Sequence, residues 1–241
     1  MKSIRTREQE SNKLSIGTLN EWTLHASLKE HYKEPGDRLE ESVDGYVIDI
    51  VRDKELIEIQ TTNFSSMKQK LNHLLQNHHV KVIHPIASRR VIIRESLDGT
   101  RILSKRKSPK EGNYYDLFQE LIYIPHIARR DNFSLEVVLT HEIERKRNDG
   151  KGSWRRHGWS VVDRELVEVV ESKKFDSLED YLGLIPEIDE PFTNTEIAVE
   201  IGIPRWIARK MTYTLSKMGV LKRNGKRGNA HLFSRDDCLF S

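Results

Sequence analysis

Val43-Asp44-Gly45-Tyr46-Val47-Ile48-Asp49-Ile50-Val51, then Arg52-Asp53-Lys54-Glu55, then Leu56-Ile57-Glu58-Ile59-Gln60-Thr61 is the stretch that decides the architecture. Two short apolar runs flank a charged tetrad, which reads as strand, turn, strand. A hairpin with Asp53-Lys54 at its tip pairs Arg52 with Glu55, Val51 with Leu56, Ile50 with Ile57 and Asp49 with Glu58, and sets Val47 opposite Gln60. Side chains alternate faces along a strand. One face then carries Ile48, Ile50, Ile57 and Ile59 as an apolar floor. The other carries Asp49, Glu58 and Gln60 among Val47, Val51 and Leu56.

That register brings two carboxylates within about 5 Å at their β-carbons, and directly opposed like charges destabilise a sheet. A shared divalent cation offsets the repulsion economically, because Mg²⁺ prefers oxygen ligands and often takes one or two carboxylates plus substrate phosphate. A solvated face whose carboxylates pair with nearby Lys or Arg is the alternative. A bulge at Gly45 or in the turn would shift the register.

Upstream, residues 1–16 read as a flexible polar tail. Thr18 and Glu21 have capping-box spacing, and Leu24, Leu28 and Tyr32 continue a helical stripe to Pro35-Gly36. Downstream, Ser65 opens a helix with Met67, Leu71, Leu74 and Leu75 on one face. Strands are expected at 80–86 and 91–103, the second bent at Asp98-Gly99. The order helix, strand, strand, helix, strand gives an α/β (α+β) domain over 17–110. Residues 111–186 read as a mixed extension: a helix over 114–124, a strand over 135–140, a charged loop over 145–157 and a hairpin of 159–162 with 166–170.

The acidic, proline-containing stretch 187–191 reads as a linker into a C-terminal unit, 187–241. There Thr193 is a candidate N-cap for a helix with Ile197, Ala198 and Ile201 inward. Gly202 makes a turn. Pro204 opens a second helix with Ile207, Ala208, Met211, Leu215 and Met218 inward, and Gly219 stops it. Strands at 220–223 and 230–233 flank a basic, glycine-rich loop, 224–229. Helix, turn, helix and basic hairpin resemble the winged helix-turn-helix family. That resemblance makes Arg205, Arg209, Lys210, Lys226 and Arg227 the DNA-contact candidates, with the second helix in the major groove. A winged helix used as a protein-interaction module is the alternative.

The helix with Glu21, the strand with Asp49, and Glu58-Ile59-Gln60 resemble the core of the PD-(D/E)XK nuclease superfamily, a restriction-endonuclease-like fold, over about residues 17–90. The resemblance implies that Asp49 and Glu58 are metal ligands for Mg²⁺ (or Mn²⁺), and that Gln60 positions the attacking water. Glu21 either completes the metal site or serves the helix cap. Gln60 stands where Lys is commonest and brings no positive charge. Asp44 is the nearest match to the family's Pro-Asp element, yet its parity puts it opposite to Glu58, so Asp49 is preferred. The resemblance implies metal-dependent hydrolysis of DNA, or a catalytically silent nuclease fold used for DNA binding. Homodimers are a possibility that the family suggests.

Charge distribution agrees with a DNA partner, expected to be double-stranded. The formal net charge is only +3, but residues 202–235 hold nine Lys or Arg and no acid, and residues 89–110 hold eight basic against two acidic residues. Lys105, Arg106 and Lys107 form an exposed basic run in the second block, again a candidate phosphate contact. The single cysteine, Cys238, excludes a disulfide framework and a cysteine-based zinc module. The polar N-terminus, with no apolar run near the roughly 20 residues of a membrane span, makes the cytoplasm the expected compartment and a membrane partner unexpected. Thr140-His141-Glu142 lacks the second histidine of a zincin helix, because Arg145 stands there. His84 reads as structural.

Overall fold

The computed structural model describes residues 23–236. The N-terminal tail, Thr18, Glu21 and Cys238 lie outside the described residues. Helix α1 (Thr23–Tyr32) leads into β1 (Arg38–Val43), β2 (Tyr46–Arg52) and β3 (Glu55–Ile59), then α2 (Phe64–Leu74) and β4 (His79–Glu95). The chain continues through β5 (Ile102–Lys107), α3 (Phe118–Leu121), α4 (Pro125–Ala128), β6 (Phe133–Asn148), β7 (Trp159–Phe175) and α5 (Leu178–Leu182). The sheet order is β1-β2-β3-β4-β6-β7, with β5 paired to β4. The first three strands form an antiparallel meander, β4 lies parallel to both β3 and β6, and β7 returns antiparallel. The result is a mixed α+β fold around one large mixed sheet.

The hairpin register matches the expectation at Arg52↔Glu55, Val51↔Leu56 and Ile50↔Ile57. Its tip residue Asp53 takes a positive φ of 48°. Helix α1 covers one sheet face, where Leu24 and Leu28 pack on Ile50, Ile57, Ile59, Ile83 and Val138. Helix α2 covers the other, laying Met67, Leu71 and Leu74 against Ile48, Val51, Leu56, Val80 and Val82. Ile48 therefore leaves the expected floor and joins the α2 side. Strict alternation fails at Asp49, across from Glu40, whose φ of 51° is a strained conformation for a non-glycine residue in a strand.

Several expectations over 87–170 are corrected. β4 is continuous, and Asp98-Gly99 belongs to the turn into β5 rather than to a bend within one strand. The charged loop expected over 145–157 begins later than expected, because β6 runs to Asn148 and only the stretch from Asp149 to Gly158 connects it to β7, and the hairpin expected within 159–170 is a single long strand, β7. Ion pairs are the reason. Arg145 bonds both Glu95 and Glu165, Arg147 bonds Glu95, and Arg90 bonds Glu142 at 2.9 Å, so charged residues pair across neighbouring strands where apolar ones were sought. Asp163, expected in a turn, sits in β7. Its carboxylate accepts the Thr23 N–H at 3.0 Å and the Thr23 hydroxyl at 2.6 Å, fixing α1 to the sheet. The helix expected over 114–124 is a 3₁₀ turn, Tyr114–Leu117, followed by α3.

The C-terminal unit comprises β8 (Phe192–Thr193), α6 (Asn194–Ile201), α7 (Arg205–Met218), β9 (Leu221–Arg227) and β10 (Ala230–Arg235). The Thr193 hydroxyl caps α6, and Glu196 returns a 2.7 Å bond from the Thr193 N–H. All five apolar positions expected inward on α7 are buried, and Gly219 ends the helix at φ 86°. Pro204 precedes the helix as its cap, one position earlier than expected. The hairpin strands are longer than expected and turn at Gly228-Asn229. The α2-side cluster runs without a break through Leu121, Ile124, Ile127 and Tyr181 into Phe192, Ile207, Met211 and Leu215. Among the described residues no helix is long and apolar enough to cross a membrane.

A continuous core has a thermodynamic consequence. Leu215→Ala, at a fully buried position, is expected to cost about 2–5 kcal/mol and to shift the whole molecule. Urea unfolding followed by Trp fluorescence and by far-UV circular dichroism is expected to give one coincident transition. Two separated transitions would show that the C-terminal unit folds by itself.

Candidate functional site: a carboxylate seam and a basic groove

Asp49 and Glu58 meet where β2 and β3 part. The ladder ends at Ile50↔Ile57. Beyond it the Asp49 carboxylate accepts the Ile59 N–H at 2.8 Å, in place of the expected direct pairing with Glu58. The Glu58 carboxylate in turn receives the Asp49 N–H. The two acids are thus held at one seam by each other's strand, but they reach toward different helices. Asp49 accepts a 3.2 Å bond from His25 Nε2 on α1, and Glu58 Oε1 lies 2.6 Å from Lys70 Nζ on α2. Lys70 also donates to the Val47 carbonyl at 2.6 Å.

The electrostatics separate the pair. Burial is the largest influence on Asp49 and pushes its pKa up, but His25, the Ile59 N–H and the charge of Lys29 together hold it below the usual carboxylate range. Glu58 is pushed up to about 7, first by burial and then by the charge of Asp49, with Lys70 opposing. One acid is thus held ionised and the other is poised near neutrality.

The third expected member does not join them. The Gln60 amide donates to the carbonyls of Thr62 and Asn63, so it closes the turn into α2 and does not face the carboxylates. The same turn is completed by Glu120 of α3, which accepts the Phe64 N–H at 2.9 Å. Asp44 lies at the β1–β2 turn, 2.8 Å from His78, and takes no part in the seam. Glu21 falls outside the described residues. His84 is structural as expected: its Nδ1–H donates to the Gln60 carbonyl at 2.7 Å, its ring packs edge-on against Phe64, and burial drives its pKa down. Among the described residues no cluster of three or more His, Cys, Asp or Glu is arranged to hold a metal.

Sequence reasoning missed His25 and Lys70. Helical spacing offered a signal for both. Lys70 precedes the inward Leu71 and follows Met67 by three, so its stem runs along the sheet and its head reaches the seam. His25 follows the buried Leu24 and flanks the apolar stripe of α1 in the same way.

The basic candidates divide. Arg205 and Arg209 are exposed along α7 and line a groove of about 680 Å³ with Tyr213, Lys217, Arg223 and His231. Lys217, on the outward face of α7 as expected, and Arg223 add to the contact candidates there. Lys226 is exposed on β9. Lys210 turns inward, 3.4 Å from the Gln119 carbonyl of α3, and lies against the Trp206 ring. Arg227 folds back on α6, pairing with Glu196 at 2.6 Å and with the Pro191 carbonyl at 3.2 Å. Lys210 thus has an internal partner, whereas Arg227 stays exposed while pairing with Glu196 at the surface. Lys105, Arg106 and Lys107 are exposed on β5, but strand alternation sends Arg106 to the opposite face, and Lys107 pairs with Glu111 at 2.6 Å. They do not form a single patch.

Comparison with known proteins places this geometry in a family. An uncharacterized protein of Treponema pallidum (strain Nichols) is 30% identical over 232 residues, covering 92% of this chain and 88% of that protein, so the likeness includes the C-terminal unit. No solved structure matches the chain. The family model described as "Domain of unknown function (DUF8091)" matches residues 22–176, from α1 to the end of β7. The chain belongs to this DUF8091 family.

Proposed function

We propose that the chain is a DNA-binding protein with metal-dependent phosphodiesterase activity, built on a PD-(D/E)XK-like core and a winged helix. The observation that carries the reading is the pairing of half-buried Asp49 with buried Glu58 at the point where β2 and β3 part, inside the element order α1-β1-β2-β3-α2-β4. Burial and then the charge of Asp49 raise Glu58, and a hard divalent cation held at the seam would favour the ionised form of both acids. The donor set fits Mg²⁺ or Mn²⁺ held by two carboxylates, with the remaining positions left to water and substrate phosphate. When bound, such an ion neutralises charge on the scissile phosphate and activates water. The protein's own part is to hold Asp49 ionised through His25 and the Ile59 N–H. Arg205, Arg209, Lys217 and Arg223 would grip the phosphate backbone along α7 and the hairpin, which gives affinity without sequence readout.

Two observations favour a second reading, a DNA-binding protein without cleavage. Gln60 is occupied within its own turn, and Glu58 already has a cationic partner in Lys70.

Two measurements test the proposal. Mg²⁺-dependent cleavage of linear, circular and branched DNA is expected, and it should fall to background in Asp49→Ala and Glu58→Ala; undiminished cleavage in these variants removes the seam from catalysis. Metal affinity is expected to rise with pH through about 7, the Glu58 value, because a protonated carboxyl does not coordinate. The sign for stability is the reverse. An acid holding its proton more tightly folded than unfolded costs stability once ionised, so the metal-free protein should gain stability as pH falls from above about 7 toward 4.5.

The groove makes a separate prediction. Arg205→Ala and Arg209→Ala should each flatten the logarithmic salt dependence of DNA binding by about 0.9, read by fluorescence anisotropy on duplex DNA. An unchanged slope in both variants places the DNA elsewhere.

A further inference from the structure

We infer that Lys70 is the built-in occupant of the cation position on Glu58, so that the divalent ion and the Lys70 ammonium exclude one another. This rests on the reading of Asp49 and Glu58 as a metal site and adds to it a competitor that sets the site's affinity. Lys70 Nζ stands 2.6 Å from Glu58 Oε1. An ammonium at that distance occupies the approach of a metal to the same oxygen, and at this burial its charge is poorly screened. Its side chain is only 19% exposed and that of Glu58 8%, so the pair is not an ordinary surface ion pair.

The contacts of Lys70 suit displacement. Its second partner is the neutral Val47 carbonyl, belonging to a residue that is 61% exposed. The head therefore sits at the mouth of the seam, with a flexible four-carbon stem on which to swing outward. Helix α2, which carries it, is fixed at both ends of its buried face by Phe64 and Leu74 and at its N-terminus by Glu120. Displacement of the ammonium therefore needs only the side chain to move. Once displaced, the ammonium would stay near the seam on α2 and would supply the positive charge that Gln60 does not bring there.

Removing the ammonium should therefore strengthen metal binding while weakening catalysis, a combination that a purely structural lysine does not produce. The experiment is calorimetry with Mn²⁺ alone on the full chain, for the wild type, Lys70→Met, Lys70→Gln, Lys70→Arg and Glu58→Gln. Lys70→Met and Lys70→Gln are expected to bind Mn²⁺ on the order of tenfold more tightly, with Lys70→Arg close to wild type and Glu58→Gln without binding. Cleavage by the neutral variants should be slower, on the order of a hundredfold. Lys70→Gln, which can still hydrogen-bond the Val47 carbonyl, keeps the test open if Met disturbs α2. Equal or weaker Mn²⁺ binding in both neutral variants, with Glu58 still required, overturns the inference and leaves the metal site standing. Absence of binding in every variant overturns both.

Discussion

The architecture depends on β4. This strand is the shared neighbour of β3, β5 and β6, and its two halves are held by different forces. Val80, Val82, Ile83 and Ile86 are buried between the helical layers, and each such side chain contributes about 1.5–3 kcal/mol on leaving water. Further along, Arg90 and Glu95 pair with Glu142, Arg145 and Arg147. Because β4 changes partners from β3 to β5, its residues 84–87 and Arg90 line a polar cleft of about 150 Å³ with Thr61 and Thr62, just past the carboxylate seam. A strand that pairs continuously on one side and changes partner on the other is what opens the sheet there.

Burying two acids at one seam sets the second constraint. An isolated buried carboxylate is costly, and two are tolerable only when counter-charges and donors surround them. The seam meets that demand asymmetrically. Asp49 has His25, the Ile59 N–H and nearby Lys29; Glu58 has Lys70 and the Asp49 N–H. The strained φ of Glu40 belongs to the same arrangement, since Glu40 accepts a 2.7 Å ion pair from the nearly buried Lys29. Strain of about 1–3 kcal/mol at the strand facing Asp49 is offset by the packing of α1 around it.

Apolar patterning made the hairpin legible. Ile50, Val51, Leu56 and Ile57 admit one register, and α2 and α7 declare their inward faces by helical period. What stayed hidden shares one physical cause: charged side chains that satisfy one another. Glu142, Glu144, Arg145 and Arg147 on β6, with Asp163 and Glu165 on β7, look like loop because alternation of charge sign carries no burial signal. Lys210 was hidden in a related way. A basic residue on a helix reads as solvent-facing until its acceptor, here the Gln119 carbonyl, is placed beside it. Gln60 was legible as a motif position but not as a turn-closing amide, because its partners are backbone carbonyls that any sequence supplies.

The Lys210 bond bears on how the molecule would hold DNA. Lys210 ties α7 to α3, and α3 supplies Glu120 to the first turn of α2, the helix that carries Lys70. The apolar cluster runs unbroken beneath all three helices. The basic groove on α7 is therefore not on a tethered module free to reorient, as a separate domain behind residues 187–191 would be. It is fixed relative to the carboxylate seam by side chains that are fully buried. DNA held along Arg205 and Arg209 would meet the rest of the protein in one orientation, and the geometry between grip and seam would be set before binding, so that only the exposed side chains would remain to be ordered on association.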